Sequence, residues 1–342
     1  MRVLILGEDA PGGLTASYAR GFAECGADVR TLCLAQIYRD VAPAVRPRVL
    51  RRLAEPVLVH AFNERVARDT SAIAADLIFV IKGHRLTAAT VDAIRTSTGA
   101  PVVNFYPDDP FSHERSNRLV HGPNVLAAYD ACFTFARHLT PRYERAGARA
   151  VHYLPFARDP ELHSPVADAS PPAFDVVFIG NLDEDRVRFL DALAGDYRVA
   201  VFGERTAAVV SRSRPLARAT FGPAAYGVNL ARALATGAIS INVMRRQNLG
   251  SHNMRSFESP ACGAFTLSQR TPELTELFAE GEEIVCFETV EELREAVARW
   301  RNNERGRATI ARAGFERVRN DTYARRASTI LERVGFNPGV SP

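Results

Sequence analysis

One alternation, running twice along the chain, constrains the fold most. Short apolar runs, most closing on a glycine or a polar residue, alternate with stretches of helical periodicity. In the first half the runs are Val3–Leu6, Val29–Leu34, Leu77–Ile81, Val102–Tyr106, Ala131–Phe135 and Val151–Leu154. Between them lie helical stretches at Leu14–Cys25, from about Val49 to Ala75, and at Ala88–Ser97. The long one carries Leu50, Leu53, Val57, Leu58, Ala61, Phe62 and Val66 as an i, i+3, i+4 stripe. Runs this apolar, alternating with helices, predict a parallel sheet covered on both faces.

The pattern then breaks. Between Ala157 and Ala173 stand Pro160, Pro165, Pro171 and Pro172 among small and polar residues, the composition of a linker. It restarts with Val176–Ile179, Arg198–Phe202, Ile239–Val243, Phe265–Leu267 and Ile284–Phe287, and ends in a helical tail from Val290 to Val334. The reading is two α/β domains, 1–160 and 174–320, a linker at 161–173, and a final helix and tail at 321–342. A length of 342 residues suits two cores better than one.

Composition excludes several classes. No apolar run approaches the roughly 20 residues that a membrane helix needs. The opening MRVLILGED is too short in its apolar part for a signal peptide, so the expected compartment is the cytoplasm. Cys25, Cys33, Cys132, Cys262 and Cys286 are scattered, with no CxxC pair, and the histidines show no HxxxH or HExxH spacing. A disulfide framework and a zinc site are therefore not expected. The net charge of +4 is spread along the chain without a basic stripe or aromatic stacking motif, so no nucleic-acid partner is expected. Lys82 is the only lysine, against 42 arginines; a compact ammonium is not equivalent to a guanidinium.

In open parallel sheets ligands bind beyond the carboxyl ends of the strands. In the first half those positions are Gly7 to Gly13, Lys82-Gly83-His84 and Pro107-Asp108-Asp109-Pro110. In the second they are Gly180-Asn181, Gly203-Glu204, Asn242 and Ser268 to Thr271. Gly12 and Gly13 either let backbone N–H groups approach a phosphate at a helix N-terminus or simply make a tight turn. Their loop lacks GxGxxG spacing, which argues against a standard NAD site. Lys82 either holds a phosphate or carboxylate, as a point charge can, or is a solvated strand end. Asp108 and Asp109 are candidate general bases, and equally a turn cap before Pro110. His84 and His113 are weaker base candidates.

The most specific segment is Asn253–Phe287. There Glu258 precedes Ala261-Cys262-Gly263, the apolar Ala264–Leu267, a polar loop Ser268–Pro272, Glu273 and Gly281. This resembles the donor-site signature of GT-B glycosyltransferases. Arg255-Ser256-Phe257-Glu258 with Ala261–Phe265 is most similar to the spore-maturation CgeB-like branch. Phe178–Asn181, Tyr226-Gly227, Ile241–Val243 and Thr322-Tyr323 fit as well. The resemblance covers most of the second half; in the first, only Lys82-Gly83 and Asp108–Pro110 fit, less specifically.

The resemblance implies two Rossmann-like domains facing across a cleft, with the C-terminal helix packing back across their junction. It implies a hexosyltransferase-like enzyme that needs no metal or cofactor and takes its sugar from a nucleoside diphosphate sugar. Glu258 would grip the ribose diol, which a carboxylate can do by accepting two hydroxyl hydrogen bonds. The loop of Ser268, Arg270, Thr271 and Glu273 would meet the diphosphate or sugar, beside Gly180 and Asn181. Arg255 and Arg186 would neutralise the diphosphate, since guanidinium forks match phosphate oxygens. Asp109, Asp108 and Lys82 would act on the acceptor. One departure is Gly250, where many GT-B enzymes carry a second glutamate. Sugar-nucleotide epimerases or hydrolases of the same fold, and non-catalytic nucleotide-sugar binders, are the alternatives.

Overall fold

The computed structural model describes residues 1–10, 12–42, 48–114, 117–167, 170–203 and 215–336, with the backbone alone for 48–54. Pro11, Glu204 and the side chains of Leu50 and Leu53 lie outside the described residues. The chain forms two compact units, Met1–Pro155 with Tyr323–Pro342, and Phe156–Thr322.

The first unit is built on six parallel strands: β1 Arg2–Gly7, β2 Asp28–Cys33, β3 Leu77–Ile81, β4 Val102–Tyr106, β5 Ala131–Thr134 and β6 Val151–Tyr153. Their order is β2-β1-β3-β4-β5-β6. β3 and β4 are buried at every residue, as their unbroken apolar sequences require. β2 lies at the edge and leaves Asp28, Arg30 and Thr31 exposed. The helices are α1 Leu14–Glu24, α2 Leu34–Val41, α3 Arg48–Ser71, α4 Ala88–Thr98 and α5 Thr140–Arg145. α4 starts where the Thr87 hydroxyl accepts the Thr90 N–H and stops at Gly99, whose φ of 68° forms the left-handed cap. In α3 the buried face is Val59, Phe62 and Val66, while Val57 is 70% exposed, so the expected stripe turns away at that residue. α2 was not expected: the run Val29–Leu34 ends as strand at Cys33, and Leu34 opens a helix at once.

The last helix, Tyr323–Arg333, returns to this unit and packs on α1. Gly21 makes the approach possible: a Cβ there would come within 2.5 Å of the Tyr323 carbonyl oxygen. Tyr323 meets Tyr18 edge-on at 4.9 Å, and Tyr18 meets Phe79 of β3 at the same separation.

The second unit has its own six parallel strands: β7 Phe174–Ile179, β8 Val199–Phe202, β9 Thr220–Gly222, β10 Gly237–Asn242, β11 Thr266–Gln269 and β12 Val285–Phe287. Their order is β12-β11-β10-β7-β8-β9. The short edge strand β9 was not expected. α6, Glu184–Ala194, is capped by Asp183, whose carboxylate accepts the Arg186 N–H. The stretch expected as a linker belongs, in its described residues, to this unit, and within it His163 is buried, as is Asp159 just before it. Arg158 N–H donates to the Asp321 carbonyl at 2.8 Å, tying the start of the unit to its end.

Each sheet has one place where successive connections leave in opposite directions. It lies between β1 and β3 in the first unit and between β7 and β10 in the second. There a crevice opens beyond the strand ends, where α/β sheets bind ligands.

Candidate functional site

At the second unit's crevice, β7 ends at Ile179 and hands over to Gly180-Asn181, and β10 ends at Asn242. Arg186 on α6 stitches the two together. Its Nε and Nη2 donate to the Val243 carbonyl at 3.1 Å, and Nη1 donates to the Asn181 carbonyl at 2.8 Å. The guanidinium lies over the Phe178 ring and is 8% exposed. Burial lowers its pKa to about 10; Asp183 opposes that, and the nearby Arg245 and Arg255 add to it. Arg186 stays cationic at neutral pH, so guanidinium charge gathers at this strand edge.

Arg255 opens the helix Arg255–Ala261. Its Nε donates to the Ile179 carbonyl at 3.4 Å, and its Nη1 pairs with Glu258 Oε2. It lines a small pocket with Gly180, Asn181, Phe202, Gly203 and Tyr226. Glu258, one turn along, is 2% exposed. Its other oxygen, Oε1, is 3.7 Å from His163 Nε2. Because His163 Nδ1 accepts the Asp159 N–H at 3.0 Å, the ring proton sits on Nε2 and points at the carboxylate. Burial lowers the pKa of His163, and Arg255 adds to this while Glu258 opposes it, so the imidazole is neutral at pH 7.

Glu273 is held the same way. Its Oε1 is 3.1 Å from His252 Nδ1, and His252 Nε2 accepts the Phe156 N–H at 3.2 Å, which leaves the proton on Nδ1. Thr271 caps the helix Pro272–Leu277 by accepting the Leu274 N–H, and its hydroxyl donates to the Ser251 carbonyl. Ser268 lies in a buried amide network, where Asn242 Nδ2 donates to its Oγ at 3.1 Å. Arg270 is turned to Glu280, its Nε and Nη2 donating at 3.0 and 2.5 Å, with Glu288 and Glu292 each 3.7 Å away. The structure thus brings Gly180, Asn181, Arg255, Glu258 and Arg186 together. Ser268, Arg270, Thr271 and Glu273 are not among the residues lining the pocket of Arg255.

Sequence reasoning missed His163 and His252. A lone histidine carries no spacing signal, and neither sits near its glutamate's neighbours in a recognisable motif. Their one common mark is that both rings take a backbone N–H from the segment 156–159.

In the first unit Lys82 Nζ and Asp108 Oδ2 are 2.8 Å apart. Asp109 accepts the Phe111 N–H at 2.8 Å and pairs with Arg142 at 3.2 Å, so it braces its own turn. Arg142 lies 4.4 Å over the Phe111 ring. Gly13 is the N-cap of α1 and donates to the Ala10 carbonyl, and Gly12 has φ 66°, so both serve the tight turn. His113 is exposed. Among the described residues no cluster of three or more His, Cys, Asp or Glu could hold a metal ion, and no helix is long and apolar enough to cross a membrane.

Residues 186–332 match the family model described as glycosyl transferase-like. No curated protein sequence matches the chain. Among solved structures, sucrose-phosphate synthase from Thermosynechococcus elongatus is similar over 97% of this chain and 98% of its own, with a TM-score of 0.69 and 14% identity. Anabaena HepE, solved with UDP-glucose, is similar over 98% and 99%, with a TM-score of 0.68 and 15% identity. A DNA-modifying β-glucosyltransferase is similar over 98% and 99%, with a TM-score of 0.60 and 10% identity. At these identities the structures speak for the fold. The expected enzyme class, a glycosyltransferase, is borne out by the matched domain: the chain has the GT-B fold, and its second unit carries a glycosyl transferase-like domain.

Proposed function

We propose that the protein transfers a sugar from a nucleoside diphosphate sugar to an acceptor bound by the first unit. One observation carries the reading: Arg255, Glu258 and Arg186 converge with Gly180-Asn181 at the β7/β10 crevice of the second unit. Glu258 accepts the ribose hydroxyls in place of part of its contact with Arg255. Arg255, so released, joins Arg186 in offsetting the charge that grows on the leaving diphosphate. No metal or cofactor enters this chemistry, because the guanidiniums supply the positive charge. Asp108, paired with Lys82, and Asp109, paired with Arg142, are the candidates for acting on the acceptor hydroxyl. The structures solved with UDP or UDP-glucose favour uridine as the donor's base. The run Arg255–Glu258 with Ala261–Phe265 favours the CgeB-like branch, and a cytoplasmic location fits a nucleotide-sugar donor.

The test is a thermal-shift panel of UDP, GDP, dTDP, CMP and NAD on wild type and Glu258→Ala. A ligand at about 100 times its Kd stabilises the native state by roughly 2.7 kcal/mol, enough to read. A UDP shift that the variant loses supports the reading. No nucleotide shift, an equal shift in the variant, or a shift with NAD alone overturns it. Release of free sugar from a UDP-sugar at the same rate with and without any acceptor would make the protein a hydrolase instead.

A further inference from the structure

The crevice of the first unit holds a pocket of about 230 Å³, and its lining is chemically mixed. We propose that it binds a hydroxyl-bearing organic anion: an apolar body of aryl size carrying one carboxylate or phosphate. Resting on the transferase reading, this anion is the sugar acceptor.

The position comes from topology. Glu8 follows β1 and Lys82 to Arg85 follow β3, so the pocket sits where the sheet order places a ligand. One wall is apolar, with Leu34 and Tyr38 of α2, Phe62 of α3 and Ile81. Tyr38 and Phe62 meet edge to face with centroids 5.8 Å apart, a surface suited to a flat ring.

The charges do not cancel. Lys82 is paired with Asp108. Arg39 donates to Gln36 Oε1 at 2.6 Å, and Arg85 lies 4.4 Å over the Tyr38 ring with Nη1 2.5 Å from His84 Nε2. Neither guanidinium has a carboxylate partner among the described residues, while Glu8 is the one carboxylate of the lining. Two guanidiniums held only by neutral side chains suit a carboxylate or phosphate, and Glu8 is left to accept a hydroxyl hydrogen bond. The field agrees. Burial, then Arg85 and Lys82, push the His84 pKa down to about 3, against the pull of Asp108, so this imidazole is uncharged at pH 7.

The turn that presents these groups is left-handed at two successive residues. Lys82 has φ 63°, the only left-handed non-glycine residue among those described, and Gly83 follows at φ 61°. A Cβ on Gly83 would lie 2.6 Å from Val80 Cγ1, so the turn admits no side chain at that position. A non-glycine residue held this way costs free energy that surrounding structure must offset, a pattern that collects at ligand clamps.

The experiment titrates the full chain with 4-hydroxybenzoate, 4-hydroxyphenyl phosphate, phenol and inorganic phosphate, read by calorimetry. Arg85→Gln and Arg39→Gln are titrated alongside, and the UDP thermal shift of each variant reports that it folds. At least one of the two hydroxyaryl anions should bind wild type tenfold or more tighter than phenol and than inorganic phosphate. Which of them binds tighter tells carboxylate from phosphate. Arg85→Gln should lose roughly tenfold or more of that affinity, the scale of a hydrogen bond to a charged group. Phenol binding as well as the anions, inorganic phosphate binding as well as the hydroxyaryl anions, or both variants binding like wild type overturns the inference. If the anions bind but no sugar is transferred to them or to any other acceptor, the pocket stands and the transferase reading falls. If sugar reaches a neutral acceptor while the anions do not bind, the reverse holds.

Discussion

The two sheets use six parallel strands each, yet they differ in order and in what stands at their crevices. In the first unit one strand, β2, lies beyond β1; in the second, two strands, β8 and β9, lie beyond β7. The crevice groups differ more. Around β7 and β10, Glu258, His163, Arg186, Asn242 and Ser268 are all buried, and each is held by hydrogen bonds or ion pairs. Around β1 and β3, Glu8 and Arg39 are exposed, and Lys82 and His84 are partly so. A buried, hydrogen-bonded set of groups is preorganised for one ligand chemistry, because moving any group breaks a bond to another. A set of charges more exposed to solvent tolerates change. A fixed donor site and an adaptable acceptor site would divide in this way.

If that contrast holds, substitutions in the second unit are the costly ones. The largest effect is expected at Glu258→Ala. On the proposed reading it removes hydrogen bonds from ribose hydroxyls to the carboxylate, about 1.5–3 kcal/mol each for a charged group, so UDP affinity should fall about a hundredfold or more in a calorimetric titration. Arg186→Met comes next. It strips the donors from the Val243 and Asn181 carbonyls, and urea unfolding should show a loss of about 2–4 kcal/mol. His252→Ala should cost about 2 kcal/mol by the same assay, since the Phe156 N–H and Glu273 each lose a hydrogen bond. If His252→Ala is as mild as a surface change, the second crevice is not the preorganised one and the contrast fails.

Two smaller effects sharpen the other side. His84 has its folded pKa depressed to about 3, against about 6.5 when unfolded. Below about pH 6.5 the unfolded chain binds a proton that the folded chain refuses, so stability is full above that pH and declines as pH falls toward 3. His84→Asn should flatten that decline in Tm measured between pH 7 and 4. The smallest effect is at Asp76, whose pKa is lowered to about 2 by hydrogen bonds from the Arg2 side chain and N–H. Its contribution is present above the unfolded carboxylate pKa and lost as pH falls through about 2. Asp76→Asn should alter only the acid end of the same curve, because the pair is solvent-exposed.

What the sequence disclosed follows from the same contrast. The buried strands were legible because full burial demands unbroken apolar runs, and β3, β4 and β7 appear nearly where the runs stood. α2 was hidden because Leu34 serves both the end of an apolar run and the first turn of a helix. β9 was hidden because three edge residues, Thr220 to Gly222, need no apolar pattern. In the crevices, Glu258 drew notice because it stands in a run of neighbours that resembles a known signature. Arg186 was legible only as one arginine among 42, and the bonds that single it out go to backbone carbonyls that no motif encodes. Val57 misled because helical spacing says which residues share a face and not where that face ends.

The two buried imidazoles have a consequence for anyone who grafts the second unit onto another protein. The lone pairs of His163 and His252 are filled by N–H groups of Asp159 and Phe156, which come before residue 161. A chimera cut within 161–173, where composition invites the scissors, would carry both glutamates across. It would leave behind the peptide groups that fix which ring nitrogen of each histidine bears the proton. The smallest transplantable piece therefore begins at Phe156, eighteen residues before the first strand of its sheet at Phe174.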